Sequence, residues 1–391
     1  MKQTVAVALS GGLDSAVAAA LLKKKNYRVI GLHFRTGYEF TPGQATPSRP
    51  LSRISSWAQR VSEQIGIPLE VIDCSEAFER EVVRYFADTY RSGQTPNPCM
   101  VCNQRIKFGL VLEKARAFGA STLATGHYVR IRQEANGQLW LLKGVDRAKD
   151  QSYFLALLTQ QQLRQAMFPL GSYTKNQVQK MAKAWGLTSC LARESQELCF
   201  VRHQSYKEFL SKSAGFRREP GPITNTRGQT LGRHQGLHAY TVGQRKGISI
   251  PGPAPYYVIR LDKEQNRLVI GFKSELAATE CMVTCINWIE TEPPDKPISV
   301  QTRIRYRHRE AESILTPVDR YTATVRFSKA QYAITPGQAA VFYQGERVLG
   351  GGWIAGHFHH PHPISAKLFL HRMDCGRCTE KNEHRTSNVQ H

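Results

Sequence analysis

The chain has 391 residues, 41% of them apolar, enough for two or three domains that each bury a core. Lys and Arg number 53 against 31 acids, a formal charge of +22, which suits a polyanionic partner such as a nucleic acid and otherwise serves only solubility. No apolar run is long enough to span a bilayer, the opening MKQTVAVALSGG lacks the zones of a signal peptide, and nine cysteines, an odd count, argue against a disulfide framework, so the expectation is a cytoplasmic protein with no membrane partner.

In chain order, TVAVAL (4–9) is a short Val-rich run that predicts a buried parallel strand. SGGLDS (10–15) follows, then AVAAALLKKK, which predicts a helix. A strand, a Gly-rich turn and a helix N-terminus make an anion site: Gly11 and Gly12 let backbone N–H groups approach phosphate oxygens, Ser10 and Ser15 add hydroxyls, and Asp14 can hold magnesium or orient the loop. The lysine of the GxxxxGK[ST] loop is absent. YRVIGLHF (27–34) predicts a second strand that ends at Phe34, placed to flank a base. Residues 36–52 read as a loop, 55–67 as a helix and 68–73 as a third strand. TPNPCMVCNQR (95–105) sets Cys99 and Cys102 two residues apart, a spacing that fits a metal hook, a redox disulfide or one nucleophile beside a bystander. Arg105 and Lys107 are cations near enough in sequence to activate a thiol. STLATGHYV (121–129) predicts a fourth strand ending in Thr125-Gly126-His127, a position that favours ligand contact for His127.

Beyond about residue 205 the chain turns Gly- and Pro-rich, with turns at Arg227-Gly228 and Gly247 and a loop carrying His238, Tyr240, Gln244, Arg245 and Lys246 that suits RNA. From about 276, short alternating runs (SVQTRIRYR, YTATVRFS, AAVFYQGERVLGGGW) predict a small β-barrel. RIRYRHR (303–309) reads as a strand with one cationic face against a phosphate backbone, or as a guarded sheet edge. Residues 357–391, with seven His and the pair Cys375/Cys378, read as a mobile polar extension more readily than as a metal site.

SGGLDS resembles the pyrophosphate loop of the ATP pyrophosphatases. With TPNPCMVCN, ATGHY (124–128), KDQSYFL (149–155), FPLG (168–171), SQELCF (195–200), GRHQGLHAYTVGQRKGI (232–248) and TPGQAAVFY (335–343), the ordered set resembles the tRNA-specific 2-thiouridylases over residues 4 to 356. The resemblance implies an α/β fold: an N-terminal parallel-sheet ATP pyrophosphatase (PP-loop, adenine nucleotide α-hydrolase-like) domain at 1–205, a small β-rich central domain at 206–275, a C-terminal β-barrel at 276–356 and the tail at 357–391. It implies ATP-dependent 2-thiolation of the wobble uridine of tRNA: adenylation of the oxygen on carbon 2, then sulfur transfer from a cysteine persulfide, with release of AMP and pyrophosphate. The implied site residues are Cys102 as nucleophile and Cys199 as persulfide carrier. Ala8, Leu9, Ser10, Gly11, Gly12, Leu13, Asp14, Ser15, Phe34 and Gly126 are implied for ATP and magnesium; Asn97, Pro98, Cys99, Lys149, Asp150, Gln151, Arg305 and Tyr306 are implied for tRNA. A persulfide donor or relay protein is the implied partner.

Two residues depart from the family pattern: Cys99 stands where an acid is common, and Phe34 where methionine is common. Two rivals keep the same residues. One is another PP-loop adenylating ligase or amidotransferase; the other is a cluster-dependent tRNA thiolase in which Cys99, Cys102 and Cys199 hold an iron–sulfur cluster with one open position.

Overall fold

The computed structural model describes residues 2–39, 56–187, 198–201, 204–213 and 215–355. The His/Cys-containing tail, most of the 36–52 loop, and Ser195, Gln196 and Glu197 of SQELCF lie outside the described residues.

TVAVA forms β1 (Thr4–Ala8), buried on both faces from Val5 on, which explains why it shows no alternation. β1 pairs in parallel with β2 (Arg28–Arg35) on one side and β4 (Thr122–Ala124) on the other; β3 (Leu69–Asp73) extends the β2 side and β7 (Ala166–Met167) the β4 side. The order β3-β2-β1-β4-β7 reverses its direction of growth between β1 and β4. That reversal is a topological switch point, where open α/β sheets bind ligands beyond the carboxyl ends of their strands. Helix α1 (Leu13–Lys24) starts there and is apolar nearly all round, because Val17 and Leu21 pack outward against Val178 and Ala182 while Ala19 and Leu22 pack on the sheet. Apart from short 3-10 turns, the other helices among the described residues are α2 (Ser56–Ile65), α3 (residues 75–91), α4 (residues 98–117), α5 (Gln160–Arg164), α6 (Lys175–Ala184) and α7 (Tyr206–Ser213).

The predicted strand over 121–129 is two strands in two sheets. β4 stops at Ala124, and Val129 opens a hairpin, β5 (Val129–Gln133) and β6 (Leu139–Lys143), that joins the C-terminal sheet. Gly126 makes the bend: a Cβ there would lie 2.8 Å from the Asp14 carbonyl carbon and 2.9 Å from the Ser15 nitrogen, so no larger residue lets the two segments meet.

A small sheet ordered β10-β11-β8-β9 (β8 Gly221–Asn225, β9 Thr230–His234, β10 Tyr257–Asp262, β11 Arg267–Gly271) encloses its own core of Ile223, Val258, Leu268 and Ile270. Six antiparallel strands follow: β12 (Ala277–Trp288), β13 (Ile298–Arg303), β14 (Ala311–Pro317), β15 (Ala323–Tyr332), β16 (Ala339–Gln344) and β17 (Arg347–Ile354). They run in the order β12-β15-β14-β13-β16-β17, and a β12–β17 pairing closes them into a barrel. RIRYRHR is not a strand throughout. β13 ends at Arg303; the in/out alternation runs on through Thr302 and Ile304, but residues 304–308 form bends and a turn that carry Arg305 and Tyr306 out of the ladder.

Candidate active site

The loop after β1 is shaped by its own side chains. Ser15, 3% exposed, donates its hydroxyl to the Gly12 carbonyl (2.9 Å) and accepts from the Ser10 amide (3.3 Å). Its hydroxyl therefore holds the loop, which leaves Ser10, on the surface, as the serine facing outward. Ala8, Leu9 and Leu13 are buried and can offer a ligand only backbone groups. Gly11 and Gly12 lead into α1. Asp14, in its first turn, accepts from the Tyr128 hydroxyl (2.8 Å) and pairs with Lys175, whose Nζ lies 2.9 Å from each carboxylate oxygen. Phe34, half-buried, ends β2 on the same edge.

The thiols stand on the other wall. α4 begins at Pro98, and its middle, Cys102–Val111, has π-type winding. Hydrogen bonding from i to i+5 brings residues five apart over one another, whereas an α-helix does so for residues three or four apart. Lys107 accordingly serves Cys102, and its ammonium favours the thiolates of both Cys99 and Cys102. Gln162 fixes this winding by donating to the carbonyls of Gln104 (2.8 Å) and Phe108 (3.0 Å). Cys199 lies near enough that its charge raises both other thiols. It is exposed, on a turn pinned by the next residue, Phe200, whose ring packs among Phe86 (5.1 Å), Phe209 (5.2 Å) and Phe78 (5.8 Å). The apolar context of ELCFV thus anchors Phe200 and leaves Cys199 outside.

Cys99 is exposed but has protein on most sides, and this surrounding bulk pushes its thiol up to about 11. Burial pushes Cys102 up to about 12, with Lys107 opposing and the neighbouring thiols adding. Alkylation of Cys102 by iodoacetamide, read by peptide mass spectrometry, should rise about tenfold per pH unit from pH 7 to 10. A plateau below pH 9 contradicts this. His127, paired with the Thr125 hydroxyl (2.7 Å), is kept neutral by burial, with the Lys107 charge adding to the effect. Lys107 is thus near enough to act on the thiols and on His127 alike. Among the described residues, no three His, Cys, Asp or Glu side chains come close enough to hold a metal ion, so Cys99, Cys102 and Cys199 do not form an assembled cluster site.

The segments expected to face tRNA are braced by buried contacts. Asn97 is 7% exposed and donates its backbone N–H to the Tyr85 hydroxyl (3.2 Å), and Pro98 is buried. The turn before α4 is gripped by TPGQ of the barrel: Gln338 donates to the carbonyls of Thr95 (3.2 Å) and Pro96 (2.8 Å), and Gly337, at φ +85°, sits where a Cβ would be 2.9 Å from the Thr95 carbonyl. Asp150 points inward, 2% exposed, and pairs with Arg303 (3.2 Å); Lys149 and Gln151 flank it. Gln151 accepts from the Tyr128 amide (3.0 Å). Tyr306 packs on Phe154 with centroids 4.4 Å apart and the rings tilted by 37°, and Arg305 donates to the Tyr332 carbonyl (3.2 Å). Arg245 and Lys246 of the central loop are exposed.

Sequence reasoning missed Lys175, Tyr128, Gln162 and Phe200. Only Lys175 leaves a signal, being a cation in the first turn of a helix, against the dipole.

Residues 3–203 match a family model described as tRNA methyl transferase HUP domain, 207–272 one described as tRNA methyl transferase PRC-barrel domain, and 278–354 one described as aminomethyltransferase beta-barrel domain. The tRNA-specific 2-thiouridylase MnmA of Geotalea uraniireducens is 43% identical over 358 residues, 90% of this chain and 95% of that protein. The proteins of the same name from Desulfosudis oleivorans and Magnetococcus marinus are each 44% identical over 354 residues, 90% of this chain and 94% and 99% of theirs.

Proposed function

The chain belongs to the tRNA-specific 2-thiouridylase family, and from that membership we propose that it places sulfur on carbon 2 of the wobble uridine of tRNA in an ATP-dependent reaction. One juxtaposition supports this reading most: the phosphate loop lies at the switch point of the sheet, and Cys102 and Cys199 share a neighbourhood linked to it through Lys107 and His127. The protein is a transferase with ATP and magnesium as cofactors and tRNA as substrate. Magnesium, when bound with ATP, offsets phosphate charge; Asp14 supplies a carboxylate oxygen of the kind it prefers.

The oxygen on carbon 2 is a poor leaving group. Its attack on the α-phosphorus of ATP forms an O–P bond, expels pyrophosphate and turns the oxygen into part of AMP, which then departs. Cys199 carries a persulfide, supplied by a sulfur-donor protein. Its terminal sulfur attacks carbon 2 and expels AMP, and the Cys102 thiolate then attacks the Cys199 sulfur. The product thiouridine leaves as the thiolate, with a Cys102–Cys199 disulfide that an external dithiol reduces. In the reverse order, Cys102 attacks first and hydrosulfide reaches carbon 2. With Cys102 held as a thiol by burial, we place sulfur attack first. Asn97, Pro98, Cys99, Lys149, Gln151, Arg305 and Tyr306 are the assigned tRNA contacts, with Asp150 bracing them. We set the domain limits at 1–205, 206–275 and 276–356, and the cytoplasm as the site of action.

The decisive test is the nucleoside content of tRNA from a deletion strain. Loss of 2-thiouridine by mass spectrometry is expected; unchanged 2-thiouridine without a second enzyme overturns the reading. The competing use of Cys99, Cys102 and Cys199 as an iron–sulfur site predicts metal and visible colour in anaerobically purified protein, both lost in Cys99→Ala.

A further inference from the structure

The phosphate loop contains no lysine, yet the fold brings one to it from 161 positions away along the chain. Lys175 opens α6, where the exposed amides of the first turn repel a cation, so the position is unfavourable unless something nearby holds the charge. Asp14 does so, through contacts of 2.9 Å to both carboxylate oxygens, and the pair is largely enclosed: the Lys175 side chain is 12% exposed and that of Asp14 30%. The lysine backbone is tethered as well, its amide donating to Asp146 Oδ2 (2.9 Å). The ring of Tyr128, whose hydroxyl bonds the same carboxylate, lies 6.0 Å from the ammonium. A local rule broken at this expense, beside the nucleotide loop, marks a functional group.

The electrostatics of adenylation say which function. Asp14 stands at the mouth of a cradle for a polyanion, and its charge has the wrong sign for phosphate. Something must neutralise it in each state of the cycle. Lys175 does this without nucleotide. A magnesium ion bound with ATP would draw on the Asp14 carboxylate, and the Lys175 ammonium, on a flexible four-carbon stem, could then reach the phosphate oxygens. The oxygens of the departing pyrophosphate gain charge as the bond to the α-phosphorus breaks, and a cation already in place stabilises that change.

Resting on the ATP-dependent reading above, we propose that Lys175 is the phosphate-binding lysine of this nucleotide site, which neutralises Asp14 at rest and passes its ammonium to the pyrophosphate oxygens when magnesium–ATP binds. A purely structural clamp makes the opposite prediction in one measurement. α,β-Methylene-ATP, which cannot be cleaved at the reacting bond, is titrated calorimetrically into the full chain without magnesium. Lys175→Gln should weaken binding about tenfold or more, Lys175→Arg should stay within about threefold of wild type, and Asp14→Asn, which removes the competing anion, should tighten it. In single-turnover pyrophosphate release with magnesium and tRNA, Lys175→Gln should lose about 10²- to 10³-fold. Equal weakening by Asp14→Asn and Lys175→Gln overturns the proposal. So does Lys175→Gln within threefold of wild type, or a wild type that takes up no analogue. Should Lys175→Gln fail to fold, the double variant Asp14→Asn/Lys175→Gln leaves no lone charge and is compared with Asp14→Asn. The titration uses no tRNA, so wild type that binds the analogue but thiolates nothing refutes the functional reading and not this one.

Discussion

Cys199→Ser protein should release pyrophosphate from ATP and tRNA at close to the wild-type rate while forming 2-thiouridine at least about 10³-fold more slowly. The separation follows from where the two chemistries sit. Adenylation needs the loop after β1, and Cys199 stands on a different segment, the turn held by Phe200 in the aromatic cluster. Replacing its exposed sulfur with oxygen creates no cavity and removes no core contact, so the loss is chemical. Wild-type formation of 2-thiouridine by this variant overturns the assignment of Cys199 as the persulfide carrier. Cys102→Ser separates the two orders of sulfur transfer. If the persulfide attacks carbon 2 first, this variant stalls as a covalent protein–tRNA adduct through Cys199, which dithiothreitol cleaves to release 2-thiouridine. If hydrosulfide is released first, no adduct forms and AMP-bearing tRNA accumulates. A gel shift under non-reducing conditions reads the difference.

The fold was legible in the sequence where local pattern and tertiary demand agree. TVAVAL is apolar without alternation because both faces of β1 are covered, and SGGLDS follows it into α1 as the anion-site pattern requires. The strand expected over 121–129 failed at one residue. Gly126 reads locally as a strand terminus, but its lack of a Cβ is what lets the chain pass Asp14 and enter a different sheet. RIRYRHR failed for a related reason. Basic residues in alternation imply one cationic face, whereas Arg303 is consumed by a buried pair whose acid lies 153 positions earlier. No local window contains both members.

The site divides in the same way. Cys102, Cys199 and the loop glycines carry motifs and could be named. Lys175 has its meaning only beside Asp14, and Gln162 only beside the displaced carbonyls of α4. Asp150 shows the converse: the motif KDQSYF points to tRNA, while the folded chain turns the acid away from the surface and leaves the lysine and glutamine on either side of it.

That inward turn sets the second large effect. The Asp150 carboxylate accepts from the amides of Gly144 (3.0 Å) and Ser152 (3.2 Å), from the Ser152 hydroxyl (2.9 Å) and from Arg303 (3.2 Å). Arg303 also reaches Glu310 (2.9 Å), which Lys143 completes (2.6 Å) above the ring of Tyr343. Two acids and two bases balance in a largely buried interface between the α/β unit and the barrel. Asp150→Ala removes one charge of the four and leaves the Gly144 and Ser152 donors unsatisfied, which should cost about 3–5 kcal/mol and lower the melting temperature by roughly 6–20 °C. Asp150→Asn keeps acceptors for the amides and should lose less, about 1–3 kcal/mol. The network holds Lys149 and Gln151 on one side and the turn with Arg305 and Tyr306 on the other, so both segments proposed to contact tRNA should loosen together. Weaker tRNA binding is therefore expected with nucleotide binding unchanged. Salt dependence separates bracing from contact: if Lys149 pairs with a phosphate as proposed, Lys149→Ala should reduce the log–log salt slope by about one, whereas Asp150→Ala should weaken binding at every salt concentration with the slope intact. A reduced slope in Asp150→Ala, or wild-type stability, means the pair does not join the two segments.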